Sequence, residues 1–221
     1  MDKITLETVK NDSYVKAYLD MADRNFASMG YKEHGIRHAE FTSNMAGKIL
    51  ECLGFPAREI ELARIAGYLH DIGNSVERGQ HTLSGAIITK RILERLKMDY
   101  REIMAVVSAV GTHEEKEDLP NSEITAAVIF GDKSDVHHTR IRTKRFSELD
   151  KHAKVNLACK NSVLSAEPAT RMISLKLDVD TDIVDMGEYF EIFLERILQL
   201  KKAAKYFDYS FVLFINEDKF M

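Results

Sequence analysis

The chain has 221 residues, 45% of them hydrophobic and 30% charged, with a formal net charge of -4. That balance excludes a disordered chain and supplies enough apolar surface for a core. The near-neutral charge excludes any electrostatic demand for a nucleic-acid polymer or an anionic membrane as partner.

Helices are expected in succession from about Ser13 to His138. Phe41, Met45, Ile49, Cys52 and Leu53 mark a first apolar stripe, closed by Gly54 and Pro56. Leu62, Ile65, Ala66 and Leu69 mark a second, with Gly73 just beyond it. Leu83, Ala86, Ile87, Leu93 and Leu96 mark a third. Asp99 and Glu102 read as a capping box for a fourth, carrying Ile103, Val106, Val107 and Val110. Ser122 is the expected cap of a fifth, with Ile124, Ala127, Val128 and Gly131 on one stripe. Gly30 and Gly35 are read as a turn before the first helix.

The pattern changes after about Glu167. Ile173, Leu175, Leu177 and Val179 alternate strictly, as in a half-buried strand. Met186, Phe190, Phe193, Ile197 and Leu200 give an amphipathic helix, and Phe211–Ile215 a buried strand. The expected fold is therefore mainly α, with a small C-terminal α+β extension of the strand-helix-strand kind. A helical domain over 1–165 and an α+β unit over 166–221 are expected. The joint is placed at Val163–Arg171, or replaced by a helix over 146–164. Two strands alone make a poor sheet. The unit is thus expected to pair in a homodimer, cover a site or lean on the helical part.

Two cysteines, Cys52 and Cys159, cannot build a disulfide framework or a cysteine-rich zinc site. Each reads as a small buried hydrophobe, and a reducing cytoplasm is the expected location. The N-terminal stretch carries acids and no apolar core, so no signal peptide is expected, and no apolar run is long enough to span a bilayer.

A sparse set of polar residues falls on the apolar faces. His38 precedes Phe41 by three residues; His70 and Asp71 end the second helix directly after IAGYL. His113 follows Val110 by three, Asp132 follows Val128 by four, and His81 opens the third helix. A single inward histidine is usually a hydrogen-bonded core residue. Inward aspartates are different, because a buried carboxylate needs a partner charge or a metal. Two aspartates beside four histidines point to a bound cation.

His38, then His70-Asp71 in LHDIGN, then Asp132 in FGDKSD resembles the HD-domain superfamily of metal-dependent phosphohydrolases. The resemblance covers Tyr31 to Arg142. It implies a helical bundle of about five helices and a metal held by His38, His70, Asp71 and Asp132. In two-metal members Asp71 bridges the ions, and His81 and His113 stand where the additional ligands fall. The cofactor implied is one or two divalent transition-metal ions per chain, with Fe, Mn, Co, Ni and Zn all suited to imidazole and carboxylate. The function implied is hydrolysis of a nucleotide or other small phosphate ester through a metal-activated water, with Asp71 and Lys133 as catalytic residues. The alternatives are a nucleotide-binding regulatory module without turnover and a di-iron HD-type oxygenase. The subgroup that cleaves cyclic dinucleotides is disfavoured, because THEEKED stands where its histidine and GYP triplet belong.

Around this set, Lys133, Arg140 and Arg142 are the candidates for holding substrate phosphate. Arg37 is expected on a solvated face. Asp135 is expected either to orient a ligand histidine or to contact Arg140 or Arg142. Glu114 is read as exposed. His34, His137, His138 and His152 are read as surface residues, His137 and His138 nearest to substrate.

Overall fold

The computed structural model describes residues 3–29, 32–142 and 151–220, without the side chains of residues 151 and 152. Seven helices come first: α1 (Leu6–Asn11), α2 (Ser13–Ser28), α3 (Ile36–Cys52), α4 (Ala57–Leu69), α5 (His81–Arg95), α6 (Tyr100–Thr112) and α7 (Glu123–Ser134). A 3-10 turn, Ile72–Ser75, links α4 to α5. The chain then forms α8 (Lys151–Ala158), β1 (Cys159–Glu167), β2 (Met172–Val179), α9 (Met186–Tyr206), β3 (Ser210–Ile215) and β4 (Asp218–Lys219). The fold is mainly helical with a small C-terminal sheet. No helix among the described residues is long and apolar enough to cross a membrane.

Caps behave as their chemistry requires. Ser122 accepts from the Thr125 amide, and Asp99 from the Arg101 amide. Glu102 does not close a capping box; its carboxylate takes the Arg58 guanidinium at 2.7 and 2.5 Å.

Two buried faces differ from the periodicity. On α3 the core face is His38, Ala39, Thr42, Ser43, Ala46, Gly47, Ile49 and Leu50, while Cys52 is exposed. On α5, Leu83 and Ile87 are 58% and 63% exposed, and Gly85, Thr89, Ile92 and Leu93 face inward. Each helix meets neighbouring backbone at a point too close for any side chain on the facing glycine. Cβ atoms at Gly67 and Gly131 would lie 3.0 and 2.5 Å from the Thr42 carbonyl oxygen of α3. One at Gly73 would lie 2.0 Å from the His81 carbonyl oxygen at the start of α5.

The sheet has the order β1-β2-β3-β4. β2 and β3 run parallel, joined by α9 as the crossover that parallel strands need. β1 pairs antiparallel with β2, and β4 antiparallel with β3. The expected strand-helix-strand order holds. However, Val163–Glu167, read as part of a joint, lies within β1, and only Lys151–Ala158 of the expected helix over 146–164 is described as helical. β1 supplies the missing partner for β2: Leu164 stands opposite Leu175, and Ser165 Oγ is 2.9 Å from Ser174 Oγ.

One core cluster lies among α1–α7. A second joins Ile49 of α3 and Ala126, Ile129 and Phe130 of α7 to β1–β3 and α9. Residues Ile124–Ser134 of α7 are all buried, because α7 has the bundle on one side and the sheet with α9 on the other. Asp132 therefore stands on a helix enclosed on both sides.

Candidate metal centre

Four histidines share one arrangement. The Nδ1 atoms of His70, His81 and His113 lie 2.8, 2.9 and 2.8 Å from the carbonyl oxygens of Gly67, Arg78 and Val110. That of His38 lies 2.6 Å from Asp135 Oδ2. Carbonyls and carboxylates only accept, so each Nδ1 carries the proton and donates it. In the neutral imidazole, the form that ligates a cation, this leaves Nε2 with a free lone pair. In His38, His70 and His113 that atom is buried without a hydrogen-bond partner.

These nitrogens converge on two carboxylates. His38 Nε2 lies 3.6 Å from Asp71 Oδ2 and 3.5 Å from Asp132 Oδ1. His70 Nε2 is 3.4 Å from Asp71 Oδ2, and His81 Nε2 is 3.5 Å from Asp71 Oδ1. Three buried groups each have donor atoms within 4.8 Å of one another: His38, His70 and Asp71; His70, His113 and Asp132; Asp71, His81 and His113. Orphaned imidazole lone pairs beside buried carboxylates are the donor set a divalent cation requires, so the residues fit a metal. The structure thus brings together all six residues anticipated as ligands.

The small residues explain how. Gly67 and Gly131 let α4 and α7 close on Thr42 and Ser43 of α3, which carries His38 four residues before Thr42. Gly73 lets α5 close on the 3-10 turn, so His81 reaches Asp71.

The electrostatics call for positive charge. Burial alone would raise the carboxyls of Asp71 and Asp132. The charge of His70 outweighs it at Asp71, and Lys133 and His38 outweigh it at Asp132, so both are held well below the carboxylate range. His70 is pushed down by burial but lifted to about 8 by Asp71 and Asp132. His113 falls to about 4, through burial and then the charges of His70 and Lys133. Lys133 is buried, with Nζ 2.6 Å from Asp132 Oδ2 and 3.2 Å from Glu114 Oε1. Burial opposes its charge, but those two carboxylates overcome it and keep the ammonium protonated.

The other anticipated residues divide. Asp135 does both things expected of it: it binds His38 Nδ1, and its Oδ2 is 3.6 Å from Arg140 Nε. Arg37 is not on a free solvated face; it pairs with Asp135 at 2.7 Å and Glu33 at 2.9 Å. Arg140 is fully buried and spends its guanidinium on the Glu33 and Asp135 carbonyls. Arg142 pairs with Asp23. Neither arginine lines the cavity over the metal cluster. Glu114 is more than an exposed acid, since it holds Lys133 and comes within 4.0 Å of His81 Nε2. His34 is not a surface residue: it lines the cavity, its ring centroid 4.0 Å from that of Phe26 and 5.4 Å from that of His38. His137 and His138 lie outside the cavity lining, their rings 4.1 Å apart. His152 and Gly30 fall outside the described side chains and residues.

The cavity encloses about 590 Å³ above Asp71, His81 and Asp132. Several lining residues escape sequence reasoning. Asn74 fixes Asp71 by donating from Nδ2 to Oδ1 at 2.9 Å. Lys32 and Arg78 come from loops. Ile192, Phe193, Arg196 and Gln199 come from α9, which roofs the site. Nothing in the local sequence marks a residue of α9 as a neighbour of His38, some 150 positions away.

Comparison with known proteins agrees with this geometry. The family model described as HD domain matches residues 31–154, more than half of the chain. An uncharacterized protein of Methanocaldococcus jannaschii is 32% identical over 131 residues, which is 49% of this chain and 50% of that protein. Ribonuclease Y of Aquifex aeolicus is 32% identical over 97 residues, covering 42% of this chain and 15% of the nuclease. Ribonuclease Y of Oceanobacillus iheyensis is 30% identical over 83 residues, covering 38% and 14%. The chain thus spans half or less of the curated relatives it matches. The ordered His38, His70-Asp71 and Asp132, gathered on one buried centre inside the matched region, and the match itself lead to one conclusion: this chain belongs to the HD-domain family.

Proposed function

We propose that the protein is a metal-dependent phosphohydrolase acting on a small phosphate ester, of which a nucleotide is the leading example. The observation that carries this reading is the convergence of buried histidine Nε2 atoms, without a hydrogen-bond partner in His38, His70 and His113, on Asp71 and Asp132. His38, His70, Asp71 and Asp132 would hold one ion. His81 and His113, with Asp71 shared, would hold a second. A divalent ion bound there polarises a phosphoryl oxygen and makes water ionise near neutral pH. The chain's own residues prepare the rest. Asn74 fixes one Asp71 oxygen and thereby the orientation of the carboxylate. Asp135 fixes the His38 tautomer. Lys133, clamped by Asp132 and Glu114, keeps a permanent positive charge on the cavity wall for an incoming phosphate. α9 lines the cavity, whose volume of about 590 Å³ is that of a small-molecule site.

The test is a panel of nucleotides and simple phosphate esters, assayed with Mn, Co, Ni or Fe and after chelation. Hydrolysis is expected with metal and absent after chelation. Asp71→Ala is expected to lose more than about 100-fold, beyond the 10–100-fold typical of residues that merely support a ligand. Chelation-resistant turnover contradicts the reading.

A further inference from the structure

Of the cations lining the cavity, Arg78 lies over the Phe26 ring at 5.9 Å and Arg196 over the Phe193 ring at 5.4 Å. Lys133 is matched by Asp132 and Glu114, and Lys116 by Glu195 at 2.5 Å. Lys32 and Arg196 are the cations of the wall on which an anion site can be argued. Neither Lys32 nor Arg196 forms an ion pair with a carboxylate among the described residues, and Arg196 Nη1 is buried without a hydrogen-bond partner. They come from opposite ends of the chain, Lys32 from the loop before α3 and Arg196 from the middle of α9. They also repel each other. Burial, then the charges of Arg196 and Arg140, push the Lys32 ammonium well below its usual range. An anion seated between them would satisfy the stranded guanidinium and relieve the repulsion.

We propose that Lys32 and Arg196 form an anion subsite in this cavity that binds a phosphate dianion, so that the substrate is a small phosphomonoester and α9 is a working wall of the site. This rests on the phosphohydrolase reading and adds its substrate class. A seated anion favours the protonated Lys32, and the two cations then face the charge of about -2 that a monoester carries near neutral pH. A phosphodiester linkage carries one charge, like each phosphate along a nucleic-acid strand, and leaves one cation unmatched. A guanidinium also offers two parallel donors to a terminal phosphate.

The experiment has two arms. In the first, inorganic phosphate is titrated calorimetrically into metal-stripped wild type, Lys32→Gln, Arg196→Gln, Arg196→Lys and the surface variant Lys90→Gln. Binding is expected in wild type and Lys90→Gln, weakened about tenfold or more by either glutamine, and partly kept by Arg196→Lys. In the second, the metal-loaded proteins hydrolyse p-nitrophenyl phosphate and bis(p-nitrophenyl) phosphate. Arg196→Gln is expected to lower kcat/KM at least tenfold for the monoester and less than threefold for the diester, with metal content unchanged. Equal losses on both substrates, equal phosphate affinity in wild type and the glutamine variants, or faster cleavage of a single-stranded oligoribonucleotide than of the monoester would each overturn the proposal. Phosphate binding that depends on both residues, with no hydrolysis of either ester, supports the anion subsite and overturns the phosphohydrolase reading and the substrate class that rests on it.

Discussion

Asp135→Asn is expected to lower both the stability and the metal affinity of the protein. The carboxylate is buried and serves three partners: His38 at 2.6 Å, Arg37 at 2.7 Å and Arg140 at 3.6 Å. Removing its charge strands the fully buried Arg140. Breaking a buried pair from one side costs about 3–5 kcal/mol. The amide can still accept from His38 Nδ1, so the tautomer survives, but the imidazole loses the anion that makes it a better donor. A 10–100-fold loss of metal affinity follows. Urea unfolding of the chelated proteins reads the first effect, and metal titration the second. Acid adds a third readout. Burial favours the neutral acid, but Arg140, His38 and Arg37 outweigh it and hold the Asp135 carboxyl below its ordinary value. A carboxyl depressed on folding contributes stability that is fully present above its unfolded pKa of about 3.9. That contribution is lost as pH falls through the lower, folded value. The wild type should therefore lose stability below about pH 4, and Asp135→Asn should lack that component. Equal stability of the two chelated proteins near pH 7 contradicts this account of Asp135.

Gly73→Ala is expected to damage the centre without touching a ligand. The added Cβ would stand 2.0 Å from the His81 carbonyl oxygen and 2.5 Å from the Gly85 amide nitrogen. Both are backbone atoms, so the 3-10 turn or α5 must move. Overpacking of this kind costs about 1–3 kcal/mol and sometimes more. The displaced elements carry Asp71 and His81, whose contact at 3.5 Å opens with them. The variant should unfold at lower urea and lose metal through the His81 side of the cluster before the His38 side. Gly111→Ala is the control: its nearest neighbour is the Ala86 Cβ at 3.5 Å, an ordinary contact. It should be neutral or stabilising by up to about 1 kcal/mol, the helix preference of alanine over glycine. Similar behaviour of the two variants would show that the close approach at Gly73 is not what seats His81.

The candidate ligands were legible partly because inward histidines and aspartates break a hydrophobic rule and partly through the family resemblance, which singled out His81. His113 and Asp132 sit where the α6 and α7 periodicities demand an apolar side chain, and Asp135 follows Asp132 by almost one turn. The cavity wall was not legible, because Lys32, Arg78 and Arg196 break no rule. A cation on an amphipathic helix or in a loop has the same local pattern whether it faces solvent or a cavity formed by a distant element. The α5 face was misread for a related reason. Leu83 and Ile87 follow helical spacing but point outward, since the close approach of the 3-10 turn admits only Gly85 on that side. β1 hides because CKNSVLSAE lacks alternation; its pairing with β2 makes it a strand.

The central claim is that the histidine and aspartate cluster is a metal site. Metal content of purified wild type and Asp71→Ala, before and after exposure to Mn, Fe, Co, Ni and Zn, tests it most directly. The account predicts one or two transition-metal ions per wild-type chain, lost or sharply reduced in Asp71→Ala while the fold is retained by circular dichroism. A folded wild type that refuses all five metals would contradict it.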